Sequence, residues 1–315
     1  MHNTKVFYRL RSMIFLFLFF AVPLTASNSW VIDESEKFDH FLEEITENSI
    51  VFLDIDDTLI QSQTTLGSPA CFYNLKNFFE EKYPNIPLPN DFLEEIDKHM
   101  QWHVDYEVTD SMVYKIIEKC KEKNVPCFGL TNRPDYMANV TSSIIKKLNI
   151  HFSKEKLPFR DKLYTLNSER PIYICDGIIF CDDQNLKGEV AEHFLKNLLP
   201  SSNNITKIVF ADDKERYLHM LEKTAMNSSL DYYGLYYVKN KGAQKTVDMN
   251  VAFKQLDALI KLFPENEEPI DNLISKIENP DFLKYFFKIR SQEGKLYMVG
   301  KVLPDATIKH QDLAY

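Results

Sequence analysis

Short apolar runs and amphipathic stretches alternate along most of the chain. Residues 49–53, 125–130 and 207–211 are almost purely apolar, and each run is followed by polar residues and then by a helical pattern. Such runs are typical of strands that are buried on both faces of a parallel sheet. A further run, residues 232–238, follows the last of these helical stretches. The pattern therefore predicts an α/β domain with a doubly wound, mostly parallel sheet.

Two segments do not fit this simple alternation. The first, residues 61–124, separates the first two predicted strands and contains helical patterns at 72–83, 91–102 and 110–123. Because one crossover needs fewer residues, we expect this segment to include a small helical cap over the site. The second, residues 170–183, has short apolar runs on either side of Asp176-Gly177, which predicts a β-hairpin.

The first 27 residues have the layout of a secretory signal peptide. Three basic side chains precede an apolar run over residues 13–22, Pro23 ends that run, and small residues follow it. We expect cleavage near Ala26 or Ser27, because the run is short for a membrane span. The protein is then predicted to be exported to the periplasm, the cell envelope or the exterior, with no membrane span after cleavage. An uncleaved anchor is the alternative.

The net charge of the chain limits the kinds of molecule that it is expected to bind. The whole chain carries a formal net charge of -9, and residues 1–27 hold three basic and no acidic side chains, so cleavage takes the charge from -9 to -12. An acidic surface repels nucleic-acid phosphates, which argues against nucleic-acid binding. An anionic substrate would need local positive charge from a metal ion or from a few Lys and Arg side chains.

The mature chain is predicted to have two parts. Residues 28–263 form the α/β domain with its cap, and residues 264–315 form a C-terminal extension to which the sequence assigns no role. The sequence also leaves the oligomeric state open. Among the five cysteines, export would permit a disulfide between Cys175 and Cys181 across the predicted hairpin, and buried free thiols are the alternative.

The chemistry is concentrated where the first predicted strand ends, at Asp54-Ile55-Asp56. A carboxylate at the end of a buried strand is held rigidly, and a second one two residues later can face the same pocket. Two carboxylates in one pocket favour a divalent cation, and an oxygen-rich site suits magnesium. Asp54 could attack phosphorus while Asp56 exchanges a proton with the leaving oxygen.

Asp54-Ile55-Asp56-Asp57-Thr58 resembles the first motif of the haloacid dehalogenase superfamily in its phosphatase form. The resemblance implies a Rossmann-like core, a nucleophilic Asp54 and an acid/base role for Asp56. Leu130-Thr131-Asn132-Arg133 resembles the second motif, which implies that Thr131 and Asn132 bind the phosphoryl group. The alternative for Thr131 is a helix N-cap.

The other two motifs lie further along the chain. Lys187, before Gly188-Glu189-Val190, resembles the lysine of the third motif, although Lys162, Lys196 and Lys214 compete for this role. Asp212-Asp213 resembles the acidic pair of the fourth motif. The resemblance implies that magnesium is held by Asp54, Asp212, Asp213 and the backbone carbonyl of Asp56, although Asp213 could instead cap the next helix. The hairpin before Lys187 resembles a branch of secreted bacterial members.

Together these features predict an exported, magnesium-dependent phosphomonoester hydrolase that acts on a small phosphorylated substrate through an aspartyl-phosphate. One alternative is a catalytically idle protein of the same fold that binds an envelope or host partner. The other is transfer of the phosphoryl group to an acceptor other than water.

Overall fold

In the computed structural model, the described residues are 29–32, 35–82, 90–167, 169–199, 204–238, 247–261, 300–302, 305 and 308–310. The predicted signal peptide and most of the predicted C-terminal extension lie outside these residues. None of the helices within them is both long enough and apolar enough to cross a membrane.

Eight of the described strands form one central sheet. In spatial order they are β1 (Ser29–Ile32), β10 (Asp231–Tyr236), β9 (Lys207–Asp212), β2 (Ser49–Leu53), β5 (Cys127–Thr131), β8 (Ile178–Phe180), β7 (Ile172–Cys175) and β6 (Asp161–Tyr164). The first six run parallel, and the last two each pair antiparallel with the strand before them. The predicted doubly wound, mostly parallel α/β fold is therefore confirmed.

Strand β2 explains why the predicted strands lack polar alternation. Val51 and Leu53 belong to the core on one face of the sheet, whereas Ile50 and Phe52 belong to the core on the other. Successive side chains of a strand point to opposite faces, so a strand that is covered on both faces needs apolar residues at every position.

Helices cover both faces of the sheet. Those packed into the first core include α1 (Ser35–Glu43), α4 (Met112–Glu122), α5 (Ala138–Lys147) and α8 (Met249–Lys261). Those packed into the second core are α6 (Lys187–His193), which continues as a π-helical turn at Phe194–Leu198, and α7 (Glu215–Asn227). This two-sided packing supplies the buried environment that the apolar strands require.

The segment between β2 and β5 holds the three predicted helices. They are α2 (Pro69–Lys82), α3 (Asn90–His103) and α4, and an antiparallel pair, β3 (Ile60–Ser62) and β4 (Tyr106–Val108), accompanies them. Helices α2 and α3 contact α8, and α3 also contacts α5. The division of the chain into a core, a cap and an extension stays a prediction. From the last part of the chain, β11 (Gly300–Val302) pairs with β12 (Ile308–His310) and contacts α8.

The predicted hairpin is formed by β7 and β8. Asp176 and Gly177 join the strands with φ angles of 51° and 80°, as a type I′ turn requires. The register pairs Cys175 with Ile178, so Cys175 does not face Cys181. All five cysteines are buried free thiols, which decides between the two alternatives for them.

The order of the strands locates the expected binding site. From β2 the chain proceeds to β5 and β8 on one side, and then returns to β9 and β10 on the other. Doubly wound sheets bind ligands at such a reversal, beyond the carboxyl ends of the strands. Asp54 follows β2 and Asp212 ends β9, so these carboxylates flank the reversal.

Candidate active site

Three carboxylates meet beyond the ends of β2 and β9. Asp54, Asp212 and Asp213 each offer a carboxylate oxygen, and these oxygens all lie within 4.8 Å of one another. The backbone N–H of Asp54 donates to the carbonyl of Ala211 at 3.0 Å, which ties the two strand ends together. All three residues are buried. Because the strands fix the backbone on both sides, this acidic cluster is held in place by the sheet.

The acidic cluster is short of positive charge. Burial is the main reason that the pKa of Asp212 is raised, to about 8. The ammonium group of Lys187 lowers this pKa and the carboxylate of Asp54 raises it, but the net shift is upward. Burial and Asp54 likewise raise the pKa of Asp213 to about 7. A carboxyl whose pKa is raised in this way gains from taking up a proton or a cation.

Lys187 supplies the nearest positive charge. Its Nζ donates to Asp54 Oδ1 at 2.6 Å and to Asp212 Oδ2 at 2.8 Å, and the side chain is buried. Burial disfavours the charged ammonium, but Asp212 and Asp54 outweigh burial and raise the pKa of Lys187 above its ordinary value. Among its competitors, Lys196 pairs with Glu192, and Lys214 lines the same pocket.

A glycine sets the position of Lys187. At Gly188, a Cβ atom would lie 2.7 Å from the backbone oxygen of Met220, so only glycine allows α6 to approach α7 this closely. The hydroxyl of Thr224 donates to the carbonyl of Gly188 at 2.8 Å and holds the two helices together. The first residue of α6 is therefore directed at the acidic cluster by helix packing.

Asp56 is held by an arginine to which the sequence interpretation assigned no role. The Arg133 Nε and Nη2 atoms donate to the two oxygens of Asp56, each at 2.7 Å, while Nη1 donates to Thr141 at 2.9 Å. Burial opposes ionisation of Asp56, but Arg133 outweighs it and lowers the pKa of Asp56 below its ordinary value. This pairing favours the carboxylate form of Asp56, whereas a general acid must hold a proton.

Thr131 and Asn132 follow the end of β5. The Thr131 hydroxyl oxygen accepts the backbone N–H of Arg133 at 3.1 Å and so shapes this loop, whereas the next helical turn has no side-chain cap. The Asn132 Nδ2 group donates to Asp183 Oδ1 at 3.1 Å and to the hydroxyl of Tyr217. Both amide hydrogens of Asn132 are thus engaged within the protein.

Asp213 does not cap the helix that follows it. Helix α7 has no side-chain cap, and the backbone N–H of Lys214 donates instead to Asp212 Oδ1 at 2.7 Å. Within the described part of the chain, the buried Asp213 Oδ1 has no hydrogen-bond partner. An unpaired buried carboxylate oxygen is costly, so Asp213 fits a cation better than a capping role.

A pocket of about 300 Å³ opens beside the cluster, and its wall includes Asp54, Asp56, Thr131, Asn132 and Lys187. Helices α2 and α3 also line this pocket, with residues that include Phe72, Tyr73, Asp97 and Gln101. The Tyr73 hydroxyl donates to Asp183 Oδ2 at 2.8 Å and so links α2 to the loop before α6. Burial raises the pKa of Asp97 to about 6.

The donor set fits a hard divalent cation. Asp54, Asp212 and Asp213 offer only oxygen atoms, which magnesium prefers, and one of these oxygens has no partner among the described residues. The carboxylate of Asp56 is occupied by Arg133 and does not belong to this cluster. A role for the Asp56 carbonyl as a ligand stays a prediction.

A family model described as "Protein of unknown function (DUF2608)" matches residues 33–268, and the chain belongs to this family. No curated protein and no solved structure matches the chain. The interpretation as a member of the haloacid dehalogenase superfamily, and of a secreted bacterial branch of it, was therefore wrong. The motifs that carried this resemblance are only a few residues long. Other doubly wound sheets that place carboxylates, a hydroxyl and a lysine at their strand ends can have similar short motifs, so the motifs alone do not identify a family.

Proposed function

The family to which this chain belongs has no assigned activity. On the basis of its site, we propose that the chain is a magnesium-dependent phosphomonoester hydrolase with Asp54 as its covalent nucleophile. One observation carries the proposal: three buried carboxylates and one buried lysine converge at the switch point of the sheet, next to a pocket. Phosphoryl transfer needs little beyond a positioned nucleophile and concentrated positive charge, and this cluster can supply both.

A magnesium ion bound by Asp54, Asp212 and Asp213 would neutralise charge on the phosphoryl group. The chain's own residues do the rest. Lys187 bonds Asp54 Oδ1, and the Thr58 hydroxyl donates to Asp54 Oδ2 at 3.4 Å, so the nucleophile is oriented from both sides. As the bond from Asp54 to phosphorus forms, the bond from phosphorus to the leaving oxygen breaks. Water then attacks phosphorus and restores Asp54.

Thr131 can donate to the phosphoryl group. Its hydroxyl oxygen accepts the N–H of Arg133, which leaves its own hydrogen for an acceptor in the pocket. Lys187 adds positive charge next to Asp54, where the negative charge of the transferring group develops. Asn132 has no amide hydrogen left for a phosphate, so the predicted phosphate contact is better assigned to Thr131 and Lys187.

In this proposal Asp56 transfers the protons, and its ion pair with Arg133 favours the carboxylate form. As a base, Asp56 can take a proton from the attacking water while it keeps its contact with Arg133. To protonate a leaving oxygen, it must hold a proton against the nearby guanidinium. We therefore expect Asp56→Asn to slow the alcohol-releasing step, measured in a single turnover, far more for alkyl esters than for aryl esters, whose phenols leave without protonation.

We also propose that the protein is exported. The N-terminal segment from which export is predicted lies outside the described residues. The idle binding protein and transfer to another acceptor are the competing functions. An intact cluster with a well-positioned lysine supports catalysis over an idle site, and added alcohols would reveal transfer as a new phosphate ester among the products.

The test is phosphate release from an aryl phosphate by the full chain, measured with magnesium and with EDTA. Wild type and Asp39→Asn, an exposed aspartate used as the matched control, should release phosphate only with magnesium. Asp54→Asn should lose activity by at least about 10³-fold while keeping its melting temperature within a few degrees. Full activity in Asp54→Asn would refute the mechanism. No release by folded wild type would favour the binding alternative.

A further inference from the structure

Two of the buried cysteines lie against each other, at the end of β5 that is remote from Thr131 and the pocket. Cys120 is in the last turn of α4, and Cys127 is the first residue of β5. Their thiols share a hydrogen bond. In the described part of the chain, no second thiol is hydrogen-bonded to any of the other three cysteines, Cys71, Cys175 and Cys181.

The way in which α4 ends brings the two side chains together. The backbone N–H of Val125 donates to the carbonyl of Cys120 at 2.8 Å, and that of Asn124 donates to the carbonyl of Lys121 at 3.1 Å. Asn124 between them has a left-handed φ of 55°. These features form a Schellman motif, in which the side chains of Val125 and Cys120 approach each other.

The start of β5 continues this contact. Cys127 comes two residues after Val125, and alternate residues of an extended segment point to the same side. Val125, Cys127 and Cys120 all belong to the core on the same face of the sheet. The helix end and the register of the strand therefore hold both thiols in one layer of the core.

Two thiols in contact have the geometry from which a disulfide forms. From hydrogen-bond contact, the sulfur atoms need to approach by only about 2 Å to reach a bond length of roughly 2.05 Å. Both residues are thiols in the structure, which is the reduced form of such a pair.

Burial determines when the bond can form. The hydrogen bond with Cys120, together with burial, raises the pKa of the Cys127 thiol well above its ordinary value. Because the thiolate is the reactive form, this pair exchanges slowly once the chain has folded. We therefore expect the bond to form while the chain folds and to be protected from reductants afterwards.

We propose that Cys120 and Cys127 form a native disulfide that links the end of α4 to the start of β5 and stabilises the folded chain. The phosphatase activity plays no part in this inference. It rests on the proposed export only for the source of the oxidant, which is a protein disulfide or a small-molecule disulfide of an oxidising compartment.

The bond forms by two thiol–disulfide exchanges. The thiolate of one cysteine attacks the disulfide of the oxidant, forms a mixed disulfide and releases one thiolate. The thiolate of the other cysteine then attacks the protein sulfur of the mixed disulfide and releases the second thiolate. Two protein thiols are thereby oxidised to one disulfide, the oxidant is reduced to two thiols, and the protons of the protein thiols pass to the released thiolates.

The test refolds the full chain from urea, once with a mixture of oxidised and reduced glutathione and once with dithiothreitol. Free thiols are then blocked with iodoacetamide, and tryptic peptides are mapped by mass spectrometry. Lys121 and Lys123 lie between the two cysteines, so after tryptic cleavage only a disulfide keeps their peptides joined.

With glutathione, we expect one bond, between Cys120 and Cys127, and blocked thiols at Cys71, Cys175 and Cys181. The oxidised chain should melt about 5–10 °C above the reduced chain, because the bond closes a loop of eight residues, 120–127.

Two variants serve as controls for the melting temperature. Cys127→Ala removes one partner and should melt at the same temperature after either refolding. Cys175→Ala removes a buried cysteine outside the pair and should keep the difference that wild type shows.

Two results would overturn the inference. One is a wild type in which Cys120 is blocked, or bonded to a cysteine other than Cys127, after refolding with glutathione. The other is a chain with the expected bond that melts no higher than the reduced chain. Mapping of wild type decides the first point without a variant. Because the oxidant is supplied and no phosphate release is measured, a failure of the proposed activity or of the proposed export cannot produce either result.

Discussion

Replacement of Lys187 by methionine tests whether the acidic cluster depends on this one cation. The side chain is 1% exposed and bonds two carboxylates, Asp54 at 2.6 Å and Asp212 at 2.8 Å. Methionine keeps the length of the side chain but leaves Asp54 and Asp212 without the buried cation that they share. Removal of one member of a buried ion pair costs about 3–5 kcal/mol. For a domain of this size, that loss lowers the melting temperature by roughly 6–20 °C.

The assay is thermal unfolding in EDTA, so that no bound metal ion can replace the lysine. The matched control is Lys207→Met, which removes an ion pair of the same length, 2.6 Å to Glu44, in a more exposed position. Such pairs contribute about 0–1 kcal/mol, so this variant should melt within a few degrees of wild type. If Lys187→Met melts no lower than Lys207→Met, the cluster is not held together by Lys187.

Three further outcomes follow from the site. In EDTA the free energy of unfolding should fall between about pH 4 and pH 8, because the raised pKa values of Asp212 and Asp213 let the folded state keep protons that the unfolded chain releases. Urea titrations at several pH values in this range would measure the free energy of unfolding. Asp213→Asn should make its decrease with pH shallower, and an increase with pH would contradict the prediction. Gly188→Ala should cost about 1–3 kcal/mol in urea unfolding, since its Cβ would meet a backbone oxygen of α7 at 2.7 Å, and a neutral result would mean that α6 can shift freely. Tyr73→Phe removes the bond to Asp183 and should change the folding free energy by about 1 kcal/mol or less; loss of more than 3 kcal/mol would show that this contact holds α2 in place.

The strand ends of the site were predictable from the sequence because burial on both faces leaves a clear signal. The apolar runs before Asp54 and Asp212 mark parallel strands, and parallel strands bring their carboxyl ends to one edge of the sheet. The sequence singled out Lys187 as a site residue only through its resemblance to a motif lysine. Its contact with Asp54 spans 133 residues, and it depends on a close approach of α6 and α7 at one glycine.

The contacts that tune the site were not predictable from local pattern. Arg133 reaches Asp56 across 77 residues, and Asn132 reaches Tyr217 across 85. In each case the two residues approach because β5 lies between β2 and β8 and because α7 packs beside α6, facts that exist only in the folded chain. A side chain's direction at the end of a strand is set by these neighbours and leaves no periodic trace in the sequence.

The edges of the sheet were also missed. Strand β1 is only four residues long and directly follows the predicted signal peptide, so its apolar pattern is too short to identify. Strand β6 alternates exposed and half-buried residues, as a short edge strand does, which weakens the apolar signal on which the other predictions depend.

The stereochemical course at phosphorus tests the central claim most directly, because it does not require an intermediate to accumulate. A thiophosphate monoester made chiral with oxygen isotopes would be hydrolysed in labelled water by the wild-type chain with magnesium, and the configuration of the product would be determined. Attack by Asp54 followed by attack of water comprises two in-line displacements, so we predict net retention of configuration. Net inversion would mean that water attacks the ester in a single step, and it would contradict the role of Asp54 as a covalent nucleophile.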